Sequence, residues 1–210
     1  MSSIKSKEKF LKFAIFLAII TVVYNVFEGL VSVYFGLEDE TLALFGFGLD
    51  SFVEVISGVG IWHMVLRVQR NEYEYKDDFE KTALKVTGTG FYLLASGLFI
   101  TSIYNIIIGS KPETTLWGVA ISIASIFVMW WLIYNKKRVG KELQSDAIIA
   151  DANCTRVCMQ LSFILLIASL GYEVFEIGSI DAVGSFFISG IAYREGKEAF
   201  GKVQNNTDCC

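Results

Sequence analysis

Residues 41–66 read Thr41-Leu-Ala-Leu-Phe-Gly-Phe-Gly-Leu-Asp50-Ser-Phe-Val-Glu54-Val-Ile-Ser-Gly-Val-Gly-Ile-Trp-His63-Met-Val-Leu66. Twenty-six residues of helix cover ~39 Å, enough to cross a hydrocarbon core of about 30 Å. Five further runs resemble this one, at 11–36, 82–109, 115–135, 143–170 and 177–199. The last is the weakest, because Asp181 and Arg194 trim its apolar stretch. The fold expected is an all-α membrane protein of six transmembrane helices, with a transport domain over 1–203 and a short tail over 204–210. The single proline leaves the long helices uninterrupted. Charged residues are 19% of the chain, below the ~25% of a soluble domain, and hydrophobic residues are 53%. No basic stripe interleaved with aromatics is present, which argues against a nucleic-acid partner. The lipid bilayer is the expected surrounding. The first apolar run continues past signal-peptide length without a small-x-small cleavage site and reads as a retained span.

Basic residues set the orientation. Lys5, Lys7, Lys9 and Lys12 precede the first span. Arg67, Arg70, Lys76, Lys81 and Lys85 flank the second loop. Lys136, Lys137, Arg138 and Lys141 fill the fourth, and Arg194, Lys197 and Lys202 follow the sixth span. Lys111 stands alone on the other side, so the balance is 16 against 1. Both termini are therefore expected in the cytoplasm, in a multi-pass protein of the cell (inner) membrane. Six spans in two groups of three also allow an inverted repeat.

Asp50 and Glu54 stand four residues apart in the middle of the second span, which places both carboxylates on one helix face. A charged carboxylate at that depth costs ~2.5–3.5 kcal/mol on insertion scales. Two on one face call for a cation, a proton or an arginine; a protonated, hydrogen-bonded pair is the purely structural alternative. Cys154 and Cys158 repeat the spacing in the fifth span. A cysteine in a membrane helix is usually a small apolar filler. Register gives these two more weight, because antiparallel second and fifth spans bring both pairs near the bilayer midplane. Two carboxylates and two thiols facing each other make a tetrahedral oxygen–sulfur site for a metal ion.

With these motifs in place, the chain resembles the transmembrane domain of the cation diffusion facilitator family of metal/proton antiporters. That family presents an aspartate or histidine, three spacers and an aspartate on each of helices 2 and 5. Asp50 and Glu54 match the first pair, while Cys154 and Cys158 occupy the place of the second. Asn25-Val-Phe-Glu28-Gly29, Leu42-Ala-Leu-Phe, Ala150-Asp151-Ala152 and Asp181 extend the likeness over essentially the whole chain. Glu54 for aspartate is a mild departure, and two cysteines are a large one. The family's usual C-terminal cytoplasmic domain, which supports dimerisation, has no counterpart in these 210 residues.

The resemblance implies export of a divalent metal ion from the cytoplasm in exchange for protons, with a homodimer as an assembly to test. Thiolates favour zinc or cadmium over magnesium, calcium or manganese. No tightly bound cofactor is expected, and no nucleophile–base set marks an enzyme. Two other readings stay open, a passive cation or proton channel and a non-transporting membrane subunit. Arg156 is expected in a structural ion pair with Asp151, Glu28 or Asp181. His63 is expected near the inner interface. The terminal Asp208-Cys209-Cys210 is a weak motif for capturing a soft metal.

Overall fold

A computed structural model of the chain describes residues 2–69, 78–109, 111–143 and 146–205. These form six helices: α1 (Ser2–Glu38), α2 (Leu42–Gln69), α3 (Asp78–Ile108), α4 (Leu116–Leu143), α5 (Asp146–Phe175) and α6 (Ser179–Asn205). Among the described residues there is no strand. Each helix matches one expected span but most overrun it. Lysine and glutamate are good helix formers, so the backbone stays helical past the point where the apolar run ends. The largest overruns are at the start of α1 and the end of α4.

Among the described residues, five helices are long and apolar enough to cross a membrane. α6 falls short of that measure, since Asp181 opens it and Arg194, Glu195, Lys197 and Glu198 close it. Its inward face is built of small residues instead. Ser185, Ser189, Ala192 and Ala199 are all buried at helical spacing, and α6 lies along α3, where the Ser189 hydroxyl donates to the Ala95 carbonyl at 2.9 Å. The bundle is apolar outside, and its interior mixes large apolar side chains such as Phe47, Leu132, Leu165 and Ile188 with small polar ones. Leu93, Ile107 and Ile167 are exposed, whereas Ser32, Ser102, Ser122, Ser125 and Ser162 are completely buried. Large apolar groups cost nothing against lipid tails, and small ones let helix backbones approach.

The three most extensive interfaces are α1–α2, α4–α5 and α3–α6. The first two are corresponding pairs in the two halves of the chain. At the α1–α2 crossing the backbones nearly touch. A Cβ on Gly36 would lie 2.5 Å from the Phe45 nitrogen, and one on Gly48 would lie 2.8 Å from the Val33 nitrogen. This close approach brings Glu28 of α1 against Ser51 of α2.

The starts of α2 and α4 are capped alike. The Thr41 carbonyl accepts from Phe45 N and the Thr115 carbonyl accepts from Val119 N, so each threonine is an N-cap by its backbone. Their hydroxyls point elsewhere, to the carbonyls of Thr114 and Ser169. Carboxylates from distant helices satisfy the orphan amides. Asp181 accepts from Leu42 N at 2.9 Å and from Ala43 N at 3.2 Å. Glu173 accepts from Thr115 N at 2.6 Å and from both threonine hydroxyls, Thr114 and Thr115. Asp181→Ala should therefore cost about 1–2 kcal/mol, the usual loss for a removed cap. Thermal unfolding in detergent would reveal it, and an unchanged melting temperature would show that water replaces the cap.

The loop between α1 and α2 holds a further carboxylate. Asp39 is buried, and its Oδ2 has no hydrogen-bond partner among the described residues. Burial pushes its carboxyl above the ordinary value, and the nearby Glu38, Glu113 and Glu173 carboxylates add to this. The folded state thus favours the protonated form. The associated stability is present below the ordinary carboxylate pKa and is lost as pH rises through the raised one. Asp39→Asn should accordingly raise the melting temperature at pH 7.5, and the gain should vanish near pH 4. An equal gain at both pH values would contradict this account.

Candidate metal pathway

α2 and α5 meet in the middle of the bundle, and their chemistry meets there too. Asp50 is 2% exposed, and its Oδ1 has no hydrogen-bond partner among the described residues. One turn on, Glu54 Oε1 contacts the Cys158 Sγ of α5. The second residue of the α2 pair thus touches the second residue of the α5 pair. Cys158 is 5% exposed. Within α5 the Ser162 hydroxyl donates back to the Cys158 carbonyl at 2.9 Å. Cys154 lies on α5 one turn before Cys158; its side chain is outside what the structure describes. Among the described residues no three His, Cys, Asp or Glu side chains form a closed ligand set. Asp50, Glu54 and Cys158 bring two carboxylates and one thiol into the contact between α2 and α5.

The surroundings are more polar than the two sequence pairs suggested. Glu28 of α1 is buried and within electrostatic reach of Asp50, Glu54 and Cys158. The Tyr24 hydroxyl donates to its Oε1 at 2.8 Å and the Ser51 hydroxyl to its Oε2 at 3.2 Å. Ser125 of α4 also lies in hydrogen-bonding reach of Glu28 and meets Ser162 of α5 at 2.9 Å. Glu28 is thus a carboxylate that neutral donors can hold in place. The insertion cost that singles out Asp50 and Glu54 applies equally to Glu28 and could have marked it.

Two expectations need correcting. Arg156 does not pair with Glu28 or Asp181, whose described partners are Tyr24 and Ser51 in one case and the α2 amides in the other; the side chain of Asp151, the third partner expected, lies outside what the structure describes. Arg156 lies on an exposed part of α5, beside a polar cleft of about 290 Å³ lined also by Asn153, Gln160, Arg194, Glu195 and Glu198. Glu195, which lines this cleft from α6, is in electrostatic reach of Asp50. The four basic residues assigned to the fourth loop, Lys136, Lys137, Arg138 and Lys141, all lie within α4, and Lys136 is only 1% exposed. α6 itself runs on through residues 204 and 205. His63 lies partly buried in α2. Cys209 and Cys210 lie outside the described residues, as do Arg70 and Lys76.

No individual curated protein matches the chain. The cation efflux transmembrane domain does match, over residues 14–200, which takes in all the residues of this site and nearly the full length of the bundle. On that match, and on a helical bundle whose second and fifth helices bring Asp50, Glu54 and Cys158 together, the chain belongs to the cation efflux family.

Proposed function

We propose that this chain exports zinc or a softer divalent ion such as cadmium from the cytoplasm, by proton antiport, through a site formed by Asp50, Glu54, Cys154 and Cys158. Membership of the cation efflux family makes it a multi-pass membrane transporter of metal cations rather than an enzyme. The metal, the exchange for protons and the four ligands are the further steps. The observation that carries them is the buried Asp50 carboxylate with an unpartnered oxygen, one turn from a glutamate in contact with a cysteine. A buried carboxylate without a donor is costly, and a cation repays that cost.

The chemistry follows from the ligand set. Thiolate and carboxylate must both be deprotonated to bind metal, so loading releases protons and protonation releases the ion. The thiol biases the site to soft and borderline ions. With both termini inside, reporter fusions after Lys141 and Lys202 should each report the cytoplasm.

Uptake by proteoliposomes tests the proposal. Vesicles loaded with a metal-sensitive dye should take up zinc and cadmium saturably, faster with an opposing proton gradient, while manganese and magnesium should compete poorly. Unsaturable flux of all these ions would favour a passive channel, and no flux of any would favour a non-transporting subunit.

A further inference from the structure

The outward face of α5 changes character once along its length. Asn153, Arg156 and Gln160 follow at spacings of three and four, and all three are exposed. Phe163, Ile167, Leu170 and Val174 continue the same stripe and are exposed too. α6 shows the same change in the opposite sense of the chain. Val183, Phe187 and Tyr193 are exposed, and exposed Arg194 and Glu198 come after them. α5 is apolar enough to cross a membrane from Thr155 to Phe175, about 30 Å of helix. Arg156 therefore stands at the edge of the hydrocarbon, a level that tyrosines such as Tyr193 also favour. The polar ends of the two faces meet in the cleft of about 290 Å³ lined by Asn153, Arg156, Gln160, Arg194, Glu195 and Glu198.

Two guanidinium groups from different helices share this cleft. Among the described residues Arg156 has no ion-pair or hydrogen-bond partner, and Arg194 pairs with its chain neighbour Glu195 at 3.6 Å. A guanidinium presents its donors in a planar fork that fits two oxygens of a phosphate. Phosphates at the edge of the hydrocarbon belong to lipid headgroups, and basic pockets between membrane helices take them up. The Asn153 and Gln160 amides add neutral donors. Glu195 and Glu198 balance the two arginines, so the cleft carries no net charge and suits a zwitterion better than an anion. A carboxylate has about four acceptor positions, so one partner does not exhaust it. We propose that this cleft binds the headgroup of a phosphatidylethanolamine lipid, with the phosphate diester on Arg156 and Arg194 and the ammonium against Glu198. The bound lipid links α5 to α6 at the end of the bundle where α6 finishes. The proposal does not depend on the metal site.

The test is native mass spectrometry of the purified full chain in detergent, titrated with dioctanoyl phosphatidylethanolamine, phosphatidylcholine and phosphatidylglycerol, and with soluble phosphoethanolamine. The parent should hold phosphatidylethanolamine more tightly than the other two lipids. Arg156→Gln/Arg194→Gln should lose at least about tenfold of that affinity, because each arginine gives charge-assisted hydrogen bonds. Lys137→Gln/Arg138→Gln removes two cations from the same end of α4 and should keep the parental affinity. Should the glutamine pair aggregate, Arg156→Lys/Arg194→Lys keeps the charge, loses the fork and should still bind more weakly than the α4 control. Equal losses in the α5–α6 and α4 variants, or no loss in either, would overturn the site and leave only general attraction to headgroups. Equal affinity of the parent for all three lipids would overturn the match to a zwitterion. Phosphoethanolamine binding as tightly as the lipid would overturn a lipid ligand in favour of a soluble phosphate.

Discussion

Asp50→Ala and Glu54→Ala are each expected to abolish metal flux in proteoliposomes while the protein inserts and accumulates as the parent does. The two halves of this expectation have separate physical causes. Loss of flux follows from loss of a ligand. Removing a partner that merely orients a ligand already costs about 10–100-fold in metal affinity, so removing the ligand should cost more. Normal insertion follows from what the carboxylates do in the empty protein. At this depth each adds ~2.5–3.5 kcal/mol to the cost of insertion. Asp50 Oδ1 makes no hydrogen bond that would offset it among the described residues. Alanine therefore removes a burden rather than a support. Asp181→Ala provides the contrast, because it removes a helix cap and should lower stability far more than it lowers flux per folded molecule. Parental flux in both Asp50→Ala and Glu54→Ala would move the site elsewhere in the bundle.

The second large effect concerns ion preference. Replacing Cys154 and Cys158 together by aspartate should weaken cadmium or mercury binding more than zinc binding. Thiolates select soft ions, and carboxylates do not discriminate in that way. The pH dependence should change as well. A free thiol titrates near 8.5 and a free aspartate near 3.9. The cysteine site must give up a more tightly held proton, so its apparent metal affinity should rise more steeply between pH 6 and 8. The cluster titrates as a unit, and only its apparent values have meaning. Calorimetry across that range, on parent and double variant, reads both effects. Identical metal preference and identical slope would make the cysteines packing residues.

The membrane class, the six helices and the meeting of α2 with α5 were legible because each depends on local pattern. Span length needs only hydropathy, and the Glu54–Cys158 contact needs only i, i+4 spacing and antiparallel register. What escaped depends on partners distant in sequence or on phase. Asp181 reads as a charge that trims the sixth span, and nothing near it reveals that its partners are the amides of Leu42 and Ala43. Lys136 reads as a loop charge because the apolar run stops at residue 135. The helix does not stop there, and the Met129-Leu132-Lys136-Val139 stripe was available in the sequence to show which way the lysine turns. Glu28 escaped for a different reason. It stands alone on α1, and single carboxylates lack the paired spacing that drew notice to Asp50 and Glu54. Arg156 reads as an arginine in need of a partner at membrane depth, but Glu28 and Asp181 are held by other groups and the arginine lies beside a polar cleft.

The most direct measurement of the central claim is the ligand environment of bound metal. X-ray absorption at the zinc edge of purified, zinc-loaded protein should show a mixed shell, with oxygen near 2.0 Å and sulfur near 2.3 Å, approximate values for carboxylate and thiolate ligands. The sulfur contribution should disappear when Cys154 and Cys158 are replaced by aspartate, and metal loading should be lost when Asp50 is replaced by alanine. A shell of oxygen and nitrogen alone in the parent, or a sulfur shell that survives the cysteine replacements, would contradict a metal site built from α2 and α5.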